Sequence, residues 1–362
     1  MAVLRTLALA FVCAFVVAGC LGGDGKGTRE HVPGAASRVT QPADGSWHFV
    51  HGHRKTGCAR GRPFGFWTRL LNLRRLMIYF EGGGGCFSYE TCARGSHWFD
   101  PVVNRMDDPS RWPVGILDLG DPRNPFRDWS IVFIPSCTGD VFLGSTDHTY
   151  RRGRKAVTIR HRGWLNAEAA VHWAFRAVPR PDRVFVTGSS AGSVGSAFHA
   201  PEVIDHYRDA HVAQLGDSLA FASQRPMTLT EWHGLDHVPD WMRSEQDVQP
   251  GRFRMVAFLT HLANHYRQVT FARFNYRSDR VQRLFYGLGI RPGFSTALLR
   301  VERRLARDAP GYRSFLACGS GHMALPSPRF YTLTIGGEPL RDWVARLADG
   351  KSVQSRQARA CD

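Results

Sequence analysis

Gly188-Ser189-Ser190-Ala191-Gly192 is the stretch whose reading decides the fold. The residues before it, Arg183-Val184-Phe185-Val186-Thr187, are β-branched and aromatic and read as a short buried strand. The residues after it, Ser193 to His199, are rich in small side chains and can open a helix. A G-x-S-x-G motif between strand and helix makes a sharp turn that lifts the serine hydroxyl off the sheet, and its glycines admit close backbone approach. The competing reading is a tight turn with no chemistry. The rest of the chain decides between them.

Five more runs of strand length surround this one. They are Leu76–Phe80, Ser130–Pro135, His211–Leu215, Val269–Asn275 and Arg313–Ala317. Helical patterns lie between them, over Leu165–Val178, Phe253–Tyr266 and Phe294–Ala306. Near-continuous apolar strands alternating with helices predict a mainly parallel sheet covered on both faces. With the serine turn, this is an α/β-hydrolase-type architecture. The stretches Phe87–Trp129 and Phe221–Gly251 read as insertions that could form the mouth of a site.

The chain has 362 residues, enough for one large domain, and 43% hydrophobic content places a sizeable core within reach. Its charge is unusual: 47 Lys and Arg against 31 Asp and Glu give +16. Arginines are dense at Arg151–Lys155 and at Arg300–Arg307. Such a surface attracts polyanions, uronate polymers among them, or reflects an arginine-rich composition with no specific role. No nucleic-acid module or interleaved aromatic–basic motif occurs, so nucleic acid is not an expected partner.

The first residues read as an address. Arg5 precedes an apolar run from Leu7 to Ala18, which ends in Val17-Ala18-Gly19-Cys20. This resembles the lipobox of bacterial lipoproteins, which implies cleavage before Cys20 and a lipid on its thiol. The expected organisation is a signal peptide over 1–19, a flexible tether over 20–46 and a single catalytic domain over 47–362, exported to the cell envelope and held to its membrane. Six cysteines remain beyond Cys20: Cys58, Cys86, Cys92, Cys137, Cys318 and Cys361. In an oxidising compartment they suit three disulfides, and the short spacing of Cys86 and Cys92 favours a local bridge between them. No C-x-x-C occurs and the His233…His237 pair lacks the glutamate of H-E-x-x-H, so no metal site is expected.

A serine hydroxyl needs a base, a group that orients the base, and donors for the oxyanion. After Ser190 the fifth strand ends at Ser278-Asp279, and the sixth is followed by Cys318-Gly319-Ser320-Gly321-His322. The order serine, acid, histidine on loops after strands points to Ser190 as nucleophile, His322 as base and Asp279 as its orienting acid. Asp279 could instead cap the helix Arg280–Tyr286, and Asp217, after the fourth strand, competes for the acid role. Glu81-Gly82-Gly83-Gly84-Gly85-Cys86 follows an early strand, so its bare N–H groups can join that of Ala191 in binding an oxyanion. No G-K-[ST] follows, which sets a phosphate loop aside.

Four separate motifs now stand in a fixed order. They are Glu81–Cys86, Cys137-Thr138-Gly139-Asp140-Val141 with Gly144, His161-Arg162-Gly163-Trp164-Leu165-Asn166, and the serine turn. In that order they resemble the pectin acetylesterase family of Notum-like serine hydrolases, from about Cys58 to Trp343. The resemblance implies a serine carboxylesterase with no cofactor, acting on an acylated glycan or another ester. It implies Ser190, Asp279 and His322 as triad, Gly82, Gly83 and Ala191 as oxyanion donors, and Cys86–Cys92 as a disulfide. Two positions depart from the pattern. Gly85 stands where plant and animal members carry tryptophan, and Asp217-Ser218-Leu219 replaces Asp-Ser-Gly.

Overall fold

A computed structural model of the chain describes residues 40–218, 229–286, 293–359 and 361. The expected signal peptide, Cys20, most of the tether and Leu219 lie outside the described residues. The end of the expected tether is shorter than the composition implied: Gln41 accepts a hydrogen bond from Thr68 at 2.6 Å, and Gly45 N–H reaches Leu70 O at 2.8 Å. Proline and glycine there mark an irregular segment laid on the sheet edge.

Strands β1 (Trp47–His51), β2 (Gly65–Arg69), β3 (Asn72–Phe80) and β4 (Trp129–Ile134) come first, with a short helix α1 (Tyr89–Cys92) between the last two. A hairpin of β5 (Thr146–Arg152) and β6 (Lys155–His161) leads into α2 (Gly163–Ala177), β7 (Arg183–Ser189), α3 (Ala191–His206) and β8 (His211–Asp217). Then follow α4 (Met255–His265), β9 (Thr270–Tyr276), α5 (Arg280–Tyr286), α6 (Phe294–Asp308) and β10 (Arg313–Ala317). The chain closes with α7 (Arg329–Thr332), a small ladder of β11 (Thr334–Ile335) and β12 (Glu338–Pro339), α8 (Leu340–Ala348) and β13 (Arg356–Gln357).

Nine strands form one sheet in the order β1-β2-β4-β3-β7-β8-β9-β10-β13. From β4 to β13 every neighbour is parallel, and β1 and β2 add antiparallel partners at one edge. The six strands read from sequence are its centre. Alternation along them divides the core. Leu76, Ile78, Phe80, Val184 and Val186 face a cluster that includes α2, α3 and α4. Met77, Tyr79, Phe185 and Leu215 face the other side, toward Trp129 and α8. Burying both faces of parallel strands is what their unbroken apolar runs require.

Three disulfides join Cys86–Cys92, Cys58–Cys137 and Cys318–Cys361. The local bridge is the one expected; the other two span 79 and 43 residues, which sequence could not pair. One of the expected mouth insertions behaves differently. The described part of 221–251 buries Trp232, Val238, Met242 and Val248 in the core. Trp232 Nε1 donates to Tyr150 OH at 2.9 Å. This segment is packing, and none of its described residues lines the pocket over Ser190 and His322.

Candidate active site

Ser190 sits at the turn between β7 and α3 with φ 54° and ψ −118°. A side chain with a Cβ adopts this backbone only at a cost on the order of 1–3 kcal/mol, so the surroundings must hold it there. They do so from several sides. Ser190 N–H donates to Asp217 O at 2.8 Å, and Ser193 N–H and Oγ both return to Ser190 O. The motif glycines are required by contact: a Cβ on Gly192 would lie 2.0 Å from Phe80 O, and one on Gly188 2.3 Å from Gly192 O. Small residues at the start of α3 thus let the helix pack directly on the sheet.

His322 Nε2 lies 2.8 Å from Ser190 Oγ, and His322 Nδ1 lies 2.8 Å from Asp279 Oδ2. The three side chains come from loops after β7, β9 and β10, all at the carboxyl ends of neighbouring parallel strands. Asp279 is fully buried. Its two expected roles coincide. Oδ1 accepts the N–H groups of Val281 and Gln282, capping α5, while Oδ2 faces the imidazole and accepts from Gln282 Nε2. The cap fixes the carboxylate, and the carboxylate fixes the ring and its Nδ1–H tautomer.

The glycine run passes directly over the serine. A Cβ on Gly82 would lie 3.2 Å from Ser190 Cβ, and one on Gly83 would collide with Ser136 at 2.5 Å. Asp100 N–H to Gly83 O and Gly85 N–H to Trp98 O pin the loop to the 97–100 segment. Among the described residues the N–H groups of Gly82, Gly83 and Ala191 have no backbone acceptor. They are available to a developing oxyanion, with Ala191 at the positive end of α3. A pocket of about 460 Å³ opens over Ser190 and His322. Trp98 and Phe285 meet edge to face at its wall, their centroids 5.0 Å apart.

This arrangement can carry out acyl transfer through serine, and comparison with known proteins places it. The sequence profile of the Pectinacetylesterase family matches residues 40–236. The chain belongs to the pectinacetylesterase family of carboxylic ester hydrolases. Among curated relatives, "Inactive palmitoleoyl-protein carboxylesterase notum1b" of Danio rerio is 34% identical over 116 residues, covering 30% of this chain and 76% of that protein. Human "Palmitoleoyl-protein carboxylesterase NOTUM" is 26% identical over 48% of this chain, and Arabidopsis thaliana "Pectin acetylesterase 4" is 28% identical over 39%. The matches span little more than a third of those two relatives, 36% and 34% of their length. The solved structure of the Wnt deacylase Notum from Drosophila shares the fold, with TM-score 0.60 and 17% identity over 86% of this chain and 94% of that one.

Several motif residues that carry the pectinacetylesterase resemblance prove to be scaffolding. Asp140, fully buried, accepts from Thr138 Oγ1, Phe142 N–H and Gly163 N–H, and so ties the 137–144 loop to the start of α2. His161 bridges Tyr150 OH and Thr138 O, and burial holds its imidazole down at about 3, in the neutral form. Asn166 clasps Gly57 through both amide atoms.

Asp217 has another task than the competing acid role. His322 spends its two ring nitrogens on Ser190 and Asp279, and Asp217 makes no hydrogen bond to it. Asp217 accepts from Ser189 Oγ and from the N–H groups of Ala324 and Leu325, all at 2.9 Å through Oδ2. Ser218 Oγ accepts Met323 N–H at 2.9 Å. Tyr79 OH lies 2.9 Å from Ser189 Oγ, extending the chain of contacts beneath the sheet. Asp217 therefore joins the nucleophile turn to the loop that carries His322. Sequence reasoning missed this role because the Ala324 and Leu325 groups it holds are backbone N–H groups more than a hundred positions away. It also missed the acidic wall of the pocket, formed by Glu81, Asp100 and Asp107.

Proposed function

We propose that the protein is an exported serine esterase that removes a short acyl group, acetyl foremost, from a glycan. The observation that carries this reading is the hydrogen-bonded line from Ser190 through His322 to Asp279, set beneath three unengaged N–H donors. Ser190 Oγ attacks the ester carbonyl as its proton passes to His322 Nε2. The tetrahedral oxyanion is received by the N–H groups of Gly82, Gly83 and Ala191. Collapse breaks the C–O bond to the alcohol, which leaves with the proton from His322. Water then repeats the sequence on the acyl-enzyme, and the carboxylic acid departs.

The relatives named palmitoleoyl-protein carboxylesterases raise a second reading, a long-chain deacylase. Carboxylates at the pocket wall weigh against a fatty chain there, because burying them against hydrocarbon is costly. A third, a silent binding protein, is opposed by the complete set of catalytic groups. Hydrolysis of p-nitrophenyl esters of increasing chain length separates all three. The expected result is turnover highest for acetate and lost in Ser190→Ala. Long-chain preference supports the deacylase, and no turnover in the wild type overturns the esterase reading.

Export and anchoring through Cys20 belong to the same proposal. Cys20→Ala should release the protein from bacterial membranes; unchanged retention would contradict a lipid on that thiol.

A further inference from the structure

The charge of the pocket is opposite to that of the chain. Among the described residues no arginine or lysine lines it, while Glu81, Asp100 and Asp107 do, in a protein of net charge +16. The three carboxyls share one pattern. Glu81 Oε2 accepts Ser136 N–H at 3.3 Å, Asp100 Oδ1 accepts Val102 N–H at 3.0 Å, and Asp107 Oδ2 accepts Asn104 N–H at 2.7 Å. In each the second oxygen has no hydrogen-bond partner among the described residues. Asp107 is only 9% exposed and lines the pocket.

Among the described residues no cation acts on Glu81 or Asp107. The charges that act on Glu81 are those of Asp107 and Asp100, and burial with this repulsion pushes its carboxyl well up. Asp107 is pushed up to about 6, mainly by burial, with Asp100 adding to it. The three do not converge on one ion: the described residues gather a metal-like set at Glu245, Asp247 and His261, and not here. Spread carboxyl oxygens beside aromatic rings suit an extended ligand that offers several O–H or N–H donors, as a sugar does.

We propose that Glu81, Asp100 and Asp107 form a subsite for the alcohol part of the substrate, and that this part is a non-anionic, hydroxyl-rich sugar rather than a uronate. The inference rests on the esterase reading and narrows it. A sugar carboxylate entering this pocket meets the charge of Asp100 and Asp107, with no arginine among the described lining residues to pair with it, which costs affinity directly. Neutral hydroxyls instead donate to the free oxygens. The basic exterior still concentrates anionic polymers near the protein, but the pocket then refuses them. Surface and site thus select in opposite directions.

Acetate release from acetylated xylo-oligosaccharides and acetylated oligogalacturonides of equal length tests this on the wild type, with p-nitrophenyl acetate run alongside. The expected kcat/KM favours the neutral oligosaccharide by about tenfold or more at low ionic strength, and the ratio narrows with salt as repulsion is screened. Asp100→Asn with Asp107→Asn should move the ratio toward one by improving the uronate. Equal rates or a uronate preference in the wild type overturn the proposal. So does a folded double variant whose ratio has not moved. If p-nitrophenyl acetate itself is not cleaved, the esterase reading fails instead, and the two failures are told apart. The wild-type comparison stands even where the double variant does not fold.

Discussion

Asp217 and Asp279 end adjacent strands of one sheet, both are fully buried, and both accept several hydrogen bonds. One faces an imidazole and the other faces peptide N–H groups. Asp279 reaches His322 Nδ1 with an oxygen and caps its own helix with the other. Asp217 grips the backbone just past the histidine, at Ala324 and Leu325, and through Ser189 the turn of the nucleophile. An aspartate after a parallel strand is therefore not an acid of the triad by position. The partner atom decides its role: one carboxylate meets the ring at Nδ1, and the other holds the ring's loop in place.

The comparison breaks most visibly in turnover. Asp279→Asn should lower kcat by roughly a thousandfold to ten-thousandfold with little change in KM, since the orienting acceptor of the Nδ1–H tautomer is lost. Asp217→Asn keeps the three side chains but loosens the loop that carries His322, and should cost about ten- to a hundredfold. Steady-state kinetics on both variants, each checked for folding by circular dichroism, orders them. Equal losses would erase the distinction.

A second test uses pH. Burial pushes Asp217 up to about 6 from an ordinary 3.8. A carboxyl raised on folding adds stability that is fully present below its unfolded value and is lost as pH rises through about 6. Urea unfolding of the wild type should therefore lose on the order of 3 kcal/mol from this group between pH 4 and 7, relative to Asp217→Asn. Parallel curves for the two proteins would contradict it. The smallest effect is expected from Ser218→Ala. It frees Met323 N–H, at a residue with φ 62°, and removes the Ser218 Oγ donor to Asp217 Oδ1, and should reduce kcat by a few-fold, about 1 kcal/mol.

Much of this site was legible before the structure. Ser190, Asp279 and His322 each stand just after an apolar run of strand length, and parallel sheets bring such ends together. The six central strands were legible for the same reason: buried on both faces, they are mostly apolar, with few polar residues such as Gln214 and Arg273. The edge strands were not. β1 leaves much of its length partly exposed, and the β5–β6 hairpin is rich in arginine, threonine and histidine, so their apolar signal is broken. The basic run at 151–155 is the tip of that hairpin. The long disulfides, Asp217's backbone partners and the carboxylate wall were illegible because they depend on which distant loops meet.

The central claim is that Ser190 is the nucleophile, activated by His322 under the orientation of Asp279. Intact-mass spectrometry after treatment with a fluorophosphonate tests it most directly. The account predicts one adduct on the wild type, mapped by peptide sequencing to Ser190, absent from Ser190→Ala and formed far more slowly in Asp279→Asn than in Asp217→Asn. An adduct on another serine, or none on a folded wild-type protein, would contradict it.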